Sequence, residues 1–386
     1  MLKGMATGTG TDTTAARRGG PLTGFTVGVT ATRRREELTA LLERRGARVV
    51  EAPMMRLVPL GDDTALREAT ERCLAGPLDY VVATTGVGWR CWMSAADGWG
   101  TGARLAAACR AAVVLTRGPK ATGAVRASGL DEAFSPRSEA NDELLSWLLA
   151  RPLAGRRIAV QEHGVPLDGF AAALRERGAE VIAVPVYRWG PPDDPEAVRR
   201  LVELTVRREL HALSFTSAQA IEALLAGADG FDRRAEVLAA LRDDVLAVCV
   251  GPVCARPLLE LGIEPVCPER GRLGALVRTL AEALPARMRR ELVYEGRRVV
   301  LQGSAVLADD MQVTLPPVLA AVLRALADRP GHVLSRAELL RRAWLADRAD
   351  EHAVEAAIAR LRAALGPHSA LIRTVPKRGY RLAVTA

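Results

Sequence analysis

The sequence has no run of eighteen apolar residues, which excludes a membrane-spanning helix and a membrane partner. Its first twenty residues, MLKGMATGTGTDTTAARRGG, are small, polar and rich in Gly and Thr. They lack the apolar core of a secretory signal, so residues 1–20 are expected to be disordered and the protein cytoplasmic. Cysteine is scarce. Cys73, Cys91, Cys109, Cys249, Cys254 and Cys267 include no C-x-x-C pair, and most lie in apolar contexts. Reduced, buried thiols are expected, not zinc ligands. The five histidines form no H-E-x-x-H or comparable cluster, so no metal is implied.

What is present is a globular composition, 49% hydrophobic and 25% charged. A chain of 386 residues is too long for one ordinary core and predicts two or three folded units. Charge is unevenly distributed. From Pro285 to Ala386 there are 17 Lys and Arg against 10 Asp and Glu, a net of +7, which leaves +1 for the rest of the chain. A basic terminal segment on a neutral body is the electrostatic footprint of a nucleic-acid module, against the plainer reading of an Arg-rich surface.

The body repeats itself. LLERRGARVVEAPMMR (Leu41–Arg56) resembles ALRERGAEVIAVPVYR (Ala173–Arg188), and LDYVVATT (Leu78–Thr85) resembles LHALSFTS (Leu210–Ser217), both at a spacing of 132. Gly46 pairs with Gly178, Pro53 with Pro185 and Met55 with Tyr187. Leu38, Leu41 and Leu42 at i, i+3, i+4 predict a helix over Glu36–Arg45, stopped by Gly46. Short apolar strands such as DYVVATT and ALSFTS enter helices through hydroxyl residues. Alternating strands and helices predict two parallel-sheet α/β domains.

After a linker read at Ala283–Leu292, the pattern changes. Short strands are expected at Glu291–Tyr294, Arg298–Gln302 and Gln312–Thr314, followed by three helices. Pro316 and Pro317 suit a helix start. Ser335 and Glu338 form a capping box, and Asp350 caps a third helix with an apolar stripe at Val354, Ile358, Leu361 and Leu365. The chain closes on LIRTVPKRGYRL, a cationic hairpin. Sheet, three helices and a basic hairpin form the order of a winged helix, with the third helix in the major groove and the hairpin over the adjacent backbone.

The stretches VTLPPVLAAVLRALADRPGHVLSRAELLRRAW, HAVEAAIARLRAALG and LIRTVPKRGYRL together resemble the OmpR/PhoB-type effector domain of response regulators. The resemblance implies a C-terminal winged helix-turn-helix domain over residues 285–386 and double-stranded DNA as partner. Candidate DNA contacts are Arg341, Arg342, His352, Glu355, Arg360, Arg362, Arg373, Thr374, Lys377 and Arg378. Only Arg360 is well placed for a bidentate guanine contact, and Ala357 stands where the family usually has a polar residue, so strong phosphate binding with modest base discrimination is expected. The first strand is followed by TRRREEL, not by the acidic pair of a phosphoacceptor domain. The input signal is therefore sought in what the body binds.

Over residues 22–283 the body resembles uroporphyrinogen-III synthase, through the duplicated unit and VPVYRWGPPDD, LSFTSAQAIEALL, CVGPVCARPLLELGI and VCPERGRLGALVRTLAEAL. The resemblance implies a bilobal module over residues 21–284, with lobe one at about 22–54 and 192–283 and lobe two at about 57–189. The family's substrate is hydroxymethylbilane, a linear tetrapyrrole rimmed with carboxylates. Its terminal pyrrole is inverted through a spiro intermediate during ring closure, with no cofactor. Positioning and charge stabilisation carry such a reaction. Strand-to-helix turns suit carboxylates, which gives Thr84, Thr85, Gly118, Gly164, Thr216, Ser217 and Gly251 as candidate substrate contacts, with ordinary helix capping as the plainer reading. Arg33, Arg34 and Arg35 could supply countercharge, or could form a solvated helix start.

Tyr187 matches the family's cleft tyrosine, a phenol able to donate a hydrogen bond to the departing hydroxyl; the plainer reading is a half-buried strand aromatic. Val253 and Cys254 stand where relatives often have threonines, and Ala121 replaces another. The expected function is a transcriptional regulator whose body binds a tetrapyrrole or related anion, with nitrate/nitrite assimilation or sirohaem-linked genes as targets. Another transcription regulator is a candidate partner. The alternative is an active synthase with an accessory DNA-binding domain.

Overall fold

A computed structural model describes residues 20–60, 64–308, 311–344 and 350–383. The N-terminal segment expected to be disordered lies outside these, apart from Gly20. By its contacts the chain divides into Met55–Asp193 and a second unit built from Met1–Met54 and Asp194–Ala386.

Met55–Asp193 carries a four-stranded parallel sheet in the order Val113–Thr116, Tyr80–Ala83, Arg157–Gln161, Glu180–Val184. Its strands are near-continuous apolar runs because helices cover both faces. Trp89, Trp92 and Leu105 fill one side; Leu144, Leu148 and Phe170 fill the other. The chain enters and leaves this unit on an antiparallel ribbon, Arg56–Pro59 against Tyr187–Gly190, with Pro59 opposite Tyr187.

The second unit repeats the architecture. Leu246–Cys249, Ala212–Phe215, Thr26–Val29 and Arg48–Glu51 form a parallel sheet whose strands correspond one for one to those above. The repeat extends to the helix stops. Gly46 (φ 91°) and Gly178 (φ 81°) both adopt the left-handed conformation past a helix end. Gly46 N–H bonds Glu43 O and Ala47 N–H bonds Leu42 O; Gly178 and Ala179 do the same to Arg175 and Leu174. The helix before Gly46 spans Arg35–Glu43, with Leu38 and Leu42 buried as the periodicity predicts.

The same unit continues into the C-terminal domain. The stretch read as a linker is instead the end of a helix, Leu273–Met288, running directly into a strand, Arg289–Tyr294. Pro285 sits within that helix. The sheet has four antiparallel strands, the others being Arg297–Gln302, Ala305–Ala308 and Met311–Thr314. The third was not expected from sequence, since four residues of small and apolar type show no period. Helices Pro317–Ala327, Arg336–Ala343 and Glu351–Leu365 follow, then a hairpin of Ile372–Val375 and Gly379–Leu382. Leu319, Leu323, Leu339, Val354, Ile358 and Leu382 meet in one core.

This domain is seated on lobe one through a two-residue turn. Gln302 is buried, and its Nε2 donates to Thr23 O (2.9 Å) and Pro21 O (3.2 Å). Ser304 N–H donates to Gly24 O at 2.7 Å. Gly303 has φ 60°, and a Cβ there would fall 2.4 Å from Gly24 O, so the close approach requires glycine.

Candidate ligand edges and nucleic-acid interface

A parallel sheet collects the C-terminal ends of its strands along one edge, where α/β folds bind ligands. In Met55–Asp193 this edge holds Thr84, Thr85, Gly118, Gly164 and Tyr187. Thr85 caps the helix Gly86–Gly98, its hydroxyl accepting from Gly88 N–H. Gln161, fully buried at the end of its strand, ties the turn together. Its Nε2 donates to Thr85 Oγ1 at 2.9 Å, and Thr84 Oγ1 donates to Gln161 O at 3.0 Å. Sequence reasoning missed Gln161 because its partners lie 77 residues away. Thr122, next to Ala121, places its Oγ1 2.6 Å from that of Thr116.

Tyr187 is 2% exposed and meets Trp189 edge to face, with centroids 5.6 Å apart. A Cβ at Gly164 (φ 93°) would lie 2.9 Å from the Tyr187 ring, so the glycine brings the turn onto the phenol. Beside it, burial raises the Glu162 carboxyl above its ordinary range, while Leu167 N–H opposes that shift and Asp168 adds to it. A half-buried carboxyl whose pKa is raised at a strand end is a candidate proton donor. Only its position after a strand could have signalled it.

In the other unit the corresponding edge holds Thr216, Ser217 and Gly251. Ser217 caps the helix Ala218–Gly230, accepting from Ala220 N–H. Gly251 precedes the helix Pro252–Glu260, whose first turn exposes Val253 at 67%. Cys254 is instead buried, and its thiol lies beside that of Cys249, whose pKa it helps to raise. All six cysteines are free thiols. Burial pushes Cys73 and Cys109 up to about 12, which makes them poor nucleophiles. Of the arginine run, Arg34 holds Glu37 bidentately at 2.6–2.7 Å, and Arg35 pairs with Glu51 at 3.0 Å.

The C-terminal domain gathers most of the candidate DNA contacts. Ser335 and Glu338 form the expected capping box, and Asp350 accepts from Ala353 N–H. The helix Glu351–Leu365 buries Val354, Ile358, Leu361 and Leu365 and exposes His352, Ala356, Ala359, Arg360 and Ala363. Ala357 belongs to the buried face at 1% exposure. Its small side chain is therefore a packing feature, and no groove-facing donor is lost there. Arg373, Thr374, Lys377 and Arg378 are exposed on the hairpin. Its tip is a turn closed by Arg378 N–H to Val375 O (3.0 Å), with Lys377 at φ 59°.

Two candidates are committed within the protein. Arg362 donates to Ile372 O (2.8 Å) and Thr374 Oγ1 (2.9 Å), bracing the helix against the hairpin. Glu355 accepts from Arg336 Nε at 2.8 Å. Arg341 and Arg342 are exposed on Arg336–Ala343 and line a cavity shared with lobe one. Among the described residues, no cluster of His, Cys, Asp and Glu is arranged to hold a metal ion, and no helix is long and apolar enough to cross a membrane.

The architecture defines a class: a duplicated parallel-sheet α/β body carrying a winged-helix module at its C-terminus. Residues 36–278 match the family model of uroporphyrinogen-III synthase HemD, and residues 310–382 match that of the C-terminal domain of transcriptional regulatory proteins. The chain belongs to the uroporphyrinogen-III synthase family, and its C-terminal domain is of the OmpR/PhoB DNA-binding type. It is 30% identical to the Bacillus subtilis protein YjjA over 265 residues, 68% of this chain and 96% of that one. A solved uroporphyrinogen-III synthase mutant from the extremely thermophilic bacterium Thermus thermophilus superposes with a TM-score of 0.56 at 32% identity, covering 68% of this chain and 99% of that one. The transcriptional regulatory protein AfsQ1 of Streptomyces coelicolor is 32% identical over 227 residues, 49% of this chain and 95% of that one.

Proposed function

We propose that the protein is a DNA-binding transcriptional regulator whose synthase-family body senses a tetrapyrrole or a related anionic ligand. The observation that carries the reading is the C-terminal match itself, on a domain whose exposed surface includes Arg360, Arg373, Lys377 and Arg378. A synthase has no need of a cationic wing, so its presence argues that DNA contact is used. Hairpin charges of this kind hold phosphates, and base reading falls to Arg360 and the alanine surface, where thymine methyls can approach. Uroporphyrinogen III is the precursor of sirohaem, which nitrite and sulfite reductases use; nitrate/nitrite assimilation genes are the proposed targets, with another transcription regulator as a proposed partner at those promoters. A regulator acting on the chromosome works in the cytoplasm. In vitro selection of genomic fragments on the purified chain tests the reading. Enrichment of discrete promoter fragments is expected; recovery of fragments in proportion to input would overturn it.

The second reading, an active synthase, is favoured by the family match running through 36–278 and by Tyr187 on the antiparallel ribbon beside the strand-end turn of Gly164. It is tested by supplying fresh hydroxymethylbilane and separating the oxidised porphyrin isomers. Type III product above the spontaneous type I background, lost in Tyr187→Phe, would establish turnover with the phenol acting. Type I alone would leave the body a sensor.

A further inference from the structure

The duplicated lobes differ at the residue that precedes one pair of corresponding strands, Asp79 in one and the buried His211 in the other. In Met55–Asp193, Asp79 precedes its strand. One carboxylate oxygen accepts from Arg157 N–H (2.8 Å) and the other from Arg156 (2.6 Å). His211 occupies the same place in the other lobe, at the spacing of 132. Its Nδ1 accepts from Thr26 N–H at 2.9 Å, the counterpart of the Arg157 bond. The counterpart of Arg156 is Phe25, which meets the imidazole edge to face at 5.4 Å. With Nδ1 accepting, the proton of the neutral ring sits on Nε2. That donor is buried, and among the described residues no group accepts from it. A donor in this state calls for an explanation.

His211 lines a cavity of about 420 Å³ between lobe one and the DNA-binding domain, a volume suited to a small ligand. One wall is formed by Arg207, Arg208, Glu209 and His211 with Asp244, the other by the helices Pro317–Ala327 and Arg336–Ala343. Five arginines line it against three carboxylates. Arg208 is engaged with Asp244 at 3.0 Å. Arg324 stands next to His211. Burial lowers its pKa, while Asp244 and Asp328 raise it. Arg341 and Arg342 complete the opposite side.

We propose that this cavity binds a small, multiply charged anion, held by His211 Nε2–H and Arg324 on the inside and by Arg341 and Arg342 on the DNA-binding domain. The chemistry is that of oxygen acceptors carrying at least two negative charges, a phosphate ester or a polycarboxylate. Forked guanidinium donors match either. An occupant ties lobe one to the helix Arg336–Ala343, and so changes how that helix is presented to a duplex. Binding of the anion stands apart from the DNA-binding reading; its effect on DNA rests on that reading.

The test uses the full chain and two probes, pyrophosphate and citrate, by isothermal titration. Saturable binding of one probe is expected, weakened tenfold or more in Arg324→Gln and in Arg341→Gln/Arg342→Gln, and unchanged in Arg256→Gln on the far helix Pro252–Glu260. The double variant replaces two exposed side chains, so it reports even if Arg324→Gln fails to fold. Pyrophosphate alone identifies a phosphate ligand, citrate alone a carboxylate. No saturable binding of either probe, or binding that both variants leave within twofold, would overturn the site. If the anion binds but duplex affinity does not respond to it, the site stands and its coupling to DNA falls.

Discussion

His211 shows what a single residue can record. Burial and the neighbouring charge of Arg324 hold its imidazole down to about 3, and the bond that Nδ1 accepts from Thr26 N–H is available only to the neutral ring. In the unfolded chain the same group titrates near 6.5. Between those values the unfolded state binds more protons, so folding stability falls as pH drops from about 6.5 and is flat above it. The difference in melting temperature between wild type and His211→Gln should therefore change with pH below about 6.5 and stay constant from 7 to 8. A pH-independent difference would mean that the imidazole is not buried neutral. None of this was legible in the sequence, where His211 is one small step in LHALSFTS. Its environment is made by Thr26 and Arg324, each more than a hundred positions away. Gln161 was hidden for the same reason. By contrast, Ser335, Glu338 and Asp350 could be read directly, because a cap is completed within three residues of itself.

At the scale of elements, the winged helix was legible where period and cap agreed. The stripe Val354, Ile358, Leu361 and Leu365 predicts the face that the helix Glu351–Leu365 buries. Leu361 is fully buried, so Leu361→Ala should cost roughly 2–5 kcal/mol of domain stability by denaturant titration. A loss under about 0.5 kcal/mol would show that the helix does not pack as described. Short elements were harder to read. Ala305–Ala308 has too few residues to display a period, yet it carries the turn by which Gln302 and Gly303 seat the domain on lobe one. Ala283–Leu292 reads as a linker because Pro285 and a run of arginines break the apolar pattern. The helix continues through Pro285, which removes one backbone donor, while Leu280 and Leu284 before it stay buried.

At the scale of the whole molecule, the internal repeat and the charge asymmetry were the two most informative sequence features. The repeat fixed a pair of sheets with matching strand order, and the +7 terminal quarter located the nucleic-acid module. What neither could give was the junction between lobe one and that module, which depends on backbone contacts of Gly24 and Gly303. Under the proposed function, such a regulator would carry the state of its body to DNA through the helices beside that junction and would hold the duplex through its wing. The most direct test is the salt dependence of duplex binding by the full chain, measured by fluorescence anisotropy for wild type and Lys377→Ala/Arg378→Ala. The account predicts weaker binding to every duplex in the variant and a log–log salt slope shallower by about 2, one for each phosphate contact removed. Equal affinity and an equal slope in the two proteins would contradict it.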